Sequence, residues 1–82
     1  MVKEVVWTRG FEASFKKLKD RKTKERVIKQ IEKIIKDPEI GKPLRYGLRG
    51  ERSIRVTPYR VVYKMEGETL YLLMFFHREK GY

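Results

Sequence analysis

Three apolar segments separated by two short turns occupy residues 53–77, and they constrain the fold more than any other feature of the chain. Segments 53–56, 59–65 and 69–77 are rich in β-branched and aromatic residues, which is typical of strands. Turns as short as those between these segments join antiparallel neighbours. The unbroken apolar run within the last segment predicts a strand near the sheet centre that is buried on both faces.

The N-terminal half of the chain predicts one strand and two helices. Residues 2–7 form a short β-branched segment, and Thr8 follows as a helix N-cap. Apolar residues then recur at helical spacing in two stretches, and Asp20 or Thr23 is expected to cap the second helix. Asp37-Pro38 ends that helix, because a residue before proline avoids the helical conformation.

These elements, in the order β-α-α-β-β-β, predict an α+β fold. We expect a single domain over residues 1–82, with 39–46 as a loop between the helices and the later strands. A helical hairpin would cover one face of a mainly antiparallel four-stranded sheet. The other face would remain open to solvent.

The charge of the chain points to nucleic acid as a partner. Lysine and arginine total 21 against 11 acidic residues, giving a formal net charge of +10. Strand alternation sends Arg55, Arg60 and neighbouring cations to the face that the helices leave uncovered. Guanidinium groups bind phosphate oxygens bidentately, so this pattern favours nucleic acid over a basic surface that serves solubility alone.

Other function classes are disfavoured by what the sequence lacks. There is no cysteine and a single histidine, so we expect no metal site, no disulfide and no cofactor. No phosphate-binding loop or dinucleotide fingerprint is present. The longest apolar run is too short to span a bilayer and no signal peptide is visible, so we expect a cytoplasmic protein that does not bind membranes.

Five residues are candidates for catalysis on RNA. Arg55, Arg60 and Arg78 could stabilise the charge of a pentavalent phosphate transition state. His77 could act as a general acid or base near neutral pH, and Tyr82 could stack on a base. The opposing interpretation is that each arginine is a solvated edge charge, that His77 is a structural or surface group and that Tyr82 is a hydrophobic plug or a frayed end. Further cations are predicted to contact nucleic acid: Arg45, Arg49, Arg52, Lys64 and Lys80.

The run LRG-x(3)-IRV-x-x-YRVVY and the terminal HREKGY resemble the RelE/ParE toxin superfamily over nearly the whole chain. The resemblance implies a fold akin to small microbial ribonucleases and a RelB-like antitoxin as partner. In the RelE branch it implies cleavage of mRNA in the ribosomal A site without a metal, by attack of the 2′-hydroxyl on the adjacent phosphate. In the ParE branch it implies inhibition of DNA gyrase without nuclease activity.

The resemblance also assigns roles to individual residues. Arg60 and Arg78 match the family arginines that stabilise the phosphate, and Tyr82 matches the tyrosine that stacks on the cleaved nucleotide. Arg55 lies where RelE enzymes carry a basic residue that is often lysine. Because arginine does not release its proton, either His77 is the base or activity rests on electrostatics alone. A RelE-like nuclease is the leading hypothesis, and a gyrase inhibitor or a non-catalytic RNA- or ribosome-binding module are the alternatives.

Overall fold

The computed structural model describes residues 1–44 and 50–77, which form five strands and two helices in an α+β arrangement. The order of the elements is β1 (Glu4–Trp7), α1 (Arg9–Lys17), α2 (Arg21–Lys36), β2 (Lys42–Pro43), β3 (Glu51–Val56), β4 (Tyr59–Glu66) and β5 (Thr69–His77). The strands form one sheet in the order β1-β5-β4-β3-β2. β1 is parallel to β5, and the other neighbouring strands are antiparallel.

The sheet has five strands, so the prediction of four was wrong. The additional strand is β2, which pairs Lys42 with Ser53 and Pro43 with Arg52 at the edge of the sheet. The sequence gives no sign of β2, because two residues are too few to show an alternation of apolar and polar side chains and because proline usually indicates that a segment is not a strand. Pro43 is tolerated here because an edge strand has one side without hydrogen-bonding neighbours.

Both helices begin at the predicted side-chain caps. Thr8 Oγ1 accepts a hydrogen bond from the Phe11 amide at 3.4 Å and donates to the Leu72 carbonyl at 2.7 Å, so it joins α1 to β5. Asp20 caps α2 by accepting from the Lys22 amide at 3.1 Å and from the Thr23 hydroxyl. The Thr23 hydrogen bond is the main reason that the pKa of Asp20 is below its ordinary value. The Thr8 cap therefore fixes where α1 starts relative to β5.

The hydrophobic core lies between the helices and one face of the sheet. α1 packs on β5 and α2 packs near β3. The rings of Trp7, Phe11, Phe15 and Phe75 meet mainly edge to face in this layer. The fully buried core side chains are Phe11, Val27, Ile34, Val61, Tyr63, Leu70 and Leu72.

The prediction that the last strand is buried on both faces was wrong. Leu70, Leu72 and Phe75 of β5 point into the core, but Met74 on the other face is 40% exposed. The two helices cover only one side of the sheet, so an apolar residue at an alternate position of β5 remains in contact with solvent. β5 is nevertheless an interior strand, with β1 and β4 on its two sides.

A bulge in β5 decides which of its last residues face the helices. Val62 pairs with Met74 while Tyr63 pairs with Leu72, so Leu73 is an extra residue on β5. The extra residue shifts the alternation by one position. As a result Phe75 and His77 face the helices, whereas Met74 and Phe76 lie on the face that the helices do not cover, which we call the open face.

Within residues 1–44 and 50–77, neither helix is long and apolar enough to cross a bilayer.

Candidate nucleic-acid interface

Two arginines lie directly opposite each other on the open face. The register pairs Arg55 of β3 with Arg60 of β4, next to the turn that joins the two strands. Directly opposed side chains have Cβ atoms about 5 Å apart, and like charges at that separation repel. Arg55 is exposed, while Arg60 is half-buried and donates from Nη1 to Ser53 Oγ at 3.1 Å. The pair confirms the prediction that both guanidinium groups share one surface.

The short strand β2 adds a third cation that the sequence analysis did not single out. Because Lys42 pairs with Ser53, it lies on the open face beside the residue that holds Arg60. A depression of about 350 Å³ is lined there by Ile40, Lys42, Ser53, Arg55 and Arg60, among others. The only signal in the sequence is a lysine between a glycine and a proline in what reads as a loop. We call Lys42, Arg55 and Arg60 the cation cluster.

Acidic side chains do not neutralise the cation cluster among the residues that the structure describes. Its three members have no carboxylate within 4.0 Å in that part of the chain. Lys64 differs, because its Nζ lies 2.9 Å from Glu66 Oε2 on the same face. The hydrogen bond to Glu66 raises the pKa of Lys64, so this predicted nucleic-acid contact is already paired with an acid. Among the described residues, the positive charge that lacks an acidic partner is therefore concentrated at the β3–β4 turn end of the face.

A buried tyrosine positions the segment that carries Lys42. Tyr63 faces the helices, donates its hydroxyl proton to the Pro38 carbonyl at 2.7 Å and accepts from the Gly41 amide at 2.9 Å. Arg52 lies opposite Tyr63 and donates from Nη1 to the Gly41 carbonyl at 2.8 Å and the Glu39 carbonyl at 3.2 Å. Burial raises the pKa of Tyr63, which favours the protonated hydroxyl that these bonds need.

Arg52 therefore lies away from the cation cluster. β3 begins at Glu51, two residues before the predicted start of this strand at residue 53, so Arg52 belongs to the strand. Its pairing with Tyr63 puts it on the helix side of the sheet, where its guanidinium group binds backbone carbonyls. In this position it supports the loop that leads into β2.

Replacing Tyr63 with phenylalanine should destabilise the fold by about 2 kcal/mol, because a buried amide and a carbonyl lose their partner. The removed oxygen bonds both Gly41 and Pro38, and nothing in the described part of the chain replaces it. Urea unfolding followed by circular dichroism would measure the change. Tyr71→Phe is the control, since the hydroxyl of that half-buried tyrosine has no hydrogen bond within the described residues.

The pH dependence of unfolding gives a second check on Tyr63. Because the pKa of Tyr63 is raised in the folded protein, its protonated form is stabilised there relative to the unfolded chain, where the value is 10.0. Above that pH the unfolded chain releases this proton first, so the wild type loses stability as pH rises. Tyr63→Phe has no such hydroxyl and does not lose this stability. The difference in unfolding free energy between the two proteins should therefore become smaller as the pH rises above 10.0. A difference that stays constant would contradict the assignment.

His77 does not join the arginines. It pairs with Tyr59 across β4 and β5, and the two rings meet edge to face with centroids 5.2 Å apart on the helix side. The sheet therefore separates His77 from the side chains of Arg55 and Arg60. The remaining predicted site residues lie outside the described residues: Arg45, Arg49, Arg78, Lys80 and Tyr82.

Two comparisons match nearly the whole chain to proteins of toxin–antitoxin systems. A family model described as the ParE toxin of type II toxin–antitoxin system, parDE, matches residues 5–82. Among solved structures, the chain is similar to a chain in the crystal structure of the toxin–antitoxin complex RelBE2 from Mycobacterium tuberculosis, with 28% identity and a TM-score of 0.79. That match covers 95% of this chain and 100% of the other. A search of curated protein sequences found no significant match.

Proposed function

The chain belongs to the RelE/ParE superfamily of toxins from type II toxin–antitoxin systems, and from that premise we propose that it cleaves mRNA on the ribosome. The observation that carries this proposal is the Arg55–Arg60 pair on the open face, with no acidic partner among the described residues. Two opposed guanidinium groups cost stability unless an anion lies between or above them. A phosphodiester supplies that anion, and its charge grows in the transition state of cleavage.

The proposed reaction uses the RNA's own 2′-hydroxyl as nucleophile. The 2′-oxygen bonds to phosphorus while the bond to the 5′-oxygen breaks, which leaves a 2′,3′-cyclic phosphate and a 5′-hydroxyl. Arg60 and Arg55 stabilise the charge on the non-bridging oxygens. One proton must leave the 2′-hydroxyl and another must reach the 5′-oxygen.

Lys42 is the group in the cation cluster that can transfer a proton, since a guanidinium group does not. Its place beside Ser53 and Arg60 supports this role more than the position of His77 behind the sheet does. We therefore propose Lys42 in the role of proton-transfer group, which the sequence analysis had left between His77 and electrostatics alone.

An antitoxin is the proposed regulatory partner. One solved structure that the chain resembles is a toxin–antitoxin complex. The cation cluster offers an acidic segment three charges that have no acidic partner among the described residues. A RelB-like antitoxin that places carboxylates over the open face would occupy the phosphate site directly.

Gyrase inhibition is the second candidate function, because the matching family model is described by the ParE toxin. A ParE-like toxin would act by binding protein and would not need the cation cluster for chemistry. This candidate and the nuclease predict different products in cells, so they can be separated by experiment.

The test is to add the purified protein to a bacterial translation system and to map the ends of a defined message. We expect new ends within translated codons, with 5′-hydroxyl and 2′,3′-cyclic phosphate groups, and no such ends when ribosomes are omitted. A supercoiling assay with purified gyrase is run in parallel. Intact messages together with blocked supercoiling would reject the nuclease in favour of the ParE-like function.

A further inference from the structure

The turn between α1 and α2 is the most basic segment of the described chain outside the cation cluster. Residues 16–24 contain five lysines and one arginine against a single acid, Asp20. We call this segment the basic turn. Five of its six cations are exposed, and the sixth, Lys24, is half-buried with its Nζ 5.5 Å from the centre of the Phe15 ring. Lys16, Lys17, Lys19, Arg21 and Lys22 are the exposed members.

The basic turn keeps a large net positive charge, since one acid stands among its six cations. The Asp20 carboxylate is already used to cap α2, where it accepts from the Lys22 amide and the Thr23 hydroxyl. No ion pair joins the cations of the turn to an acid within residues 1–44 and 50–77. The turn therefore presents a mostly positive surface that includes one exposed carboxylate, Asp20.

The positions of these cations are unfavourable for the stability of α2. Arg21 and Lys22 lie in the first turn of the helix, which contains no acid, and the helix dipole disfavours positive charge there. Lys33 and Lys36 lie in the last turn, where the same dipole stabilises them. Helix stability therefore explains the positions of Lys33 and Lys36, but it does not explain those of Arg21 and Lys22. A local cost of this kind is expected where a residue serves binding.

We propose that the basic turn is a second phosphate-binding surface, which contacts the backbone of structured RNA beside the cation cluster. α1 begins at the middle of β5 and ends near its last residue, since Lys17 and Leu18 line one depression together with Tyr59 and His77. The basic turn therefore lies at the β3–β4 turn end of the sheet, the end that carries Arg55 and Arg60 on the open face. One polyanion passing over this end would meet both surfaces. The identification of this polyanion as RNA rests on the proposed function.

The chemistry of the basic turn favours a nucleic-acid backbone over a membrane or a protein partner. Leu18 is the one large aliphatic residue in the segment and it is buried, so no apolar side chain is available to enter a lipid interface. Protein interfaces are depleted of lysine and depend on apolar or aromatic anchors, which this turn also lacks. Exposed cations without anchors match a partner that is recognised by its phosphates.

The experiment measures RNA binding by a triple variant of the full chain. Lys19→Gln, Arg21→Gln and Lys22→Gln are combined, and fluorescence anisotropy follows binding of a labelled RNA hairpin between about 50 and 300 mM KCl. We expect the slope of log affinity against log salt to become shallower by about 2 to 3, because three phosphate contacts are lost and each releases just under one ion. The melting temperature should stay at or above that of the wild type, because cations are removed from the first turn of α2.

The matched control combines Lys29→Gln, Lys33→Gln and Lys36→Gln. These three exposed lysines are in the same helix and the variant loses the same net charge. We expect this control to keep most of the wild-type slope. Equal slopes for the two triple variants would show that only net charge matters and would overturn the inference. A basic-turn variant that binds RNA as the wild type does, but loses binding to phosphatidylserine vesicles, would overturn it in favour of a membrane partner.

The inference and the proposed function fail in different ways. If the basic-turn variant binds RNA normally while the wild type still cleaves messages, the inference alone is wrong. If the wild type cleaves no message but its RNA binding still depends on the basic turn, the proposed function alone is wrong.

Discussion

Replacing Arg60 with alanine is expected to lower the rate of message cleavage by at least about 100-fold, the usual cost of removing one donor that stabilises transition-state charge. Arg60 is the member of the cation cluster whose guanidinium group is held in place, by the bond from Nη1 to Ser53 Oγ. A positioned donor stabilises the developing charge without first having to reorganise. Arg60→Lys should recover only part of the activity, because a lysine keeps the charge and loses the bidentate fork. Single-turnover cleavage on programmed ribosomes would measure both variants.

Arg26→Ala is the matched control for Arg60→Ala, since it removes one exposed arginine from α2, away from the sheet. It should leave cleavage unchanged. The unfolding free energy of each variant is measured alongside, so that a loss of folding is not mistaken for a loss of chemistry. Cleavage that survives Arg60→Ala in a folded protein would remove Arg60 from the mechanism.

Gly41→Ala is expected to destabilise the protein by about 3 kcal/mol, at the upper end of the cost of overfilling a packed site. A Cβ atom at this position would lie 2.7 Å from the Tyr63 hydroxyl oxygen and 2.8 Å from the Ser53 carbonyl oxygen. The carbonyl belongs to β3 and has no freedom to move aside. Gly41 also precedes Lys42, so the clash would displace a member of the cation cluster as well. Urea unfolding and the cleavage assay together would report both effects.

Gly67→Ala provides a comparison for Gly41→Ala, because Gly67 has open space around its Cβ position but a backbone φ of 61°. That substitution should cost about 1 kcal/mol through backbone strain and leave cleavage intact, since the β4–β5 turn lies at the other end of the sheet. If Gly41→Ala lowered the unfolding free energy no more than Gly67→Ala does, the close packing of Gly41 against Tyr63 and Ser53 would be contradicted.

Much of the fold could be predicted because its signals are local. The two helix caps, the end of α2 at Asp37-Pro38 and the three later strands follow from residue types at short spacing. The Arg55–Arg60 pairing also follows, since a tight turn between two strands leaves little choice of register. These features need no knowledge of distant parts of the chain.

Other features could not be predicted because they depend on contacts between distant segments. β2 exists only because Lys42 and Pro43 meet β3, and the bulge at Leu73 appears only in the pairing of β5 with β4. For the same reason Arg52, which reads as one more exposed cation, is used to hold the loop after α2.

The sequence by itself determined that this chain forms a sheet with a helical hairpin on one face and cations on the other, because alternation and turn chemistry act between near neighbours. Only the tertiary structure decided which cations stand together. Packing of segment 38–41 around Tyr63 brought Lys42 beside Arg60, and pairing with Glu66 occupied Lys64. The bulge at Leu73 turned His77 to the helix side of the sheet, away from the arginines. Strand pairing and side-chain packing set those distances, and residue order along the chain does not encode them directly.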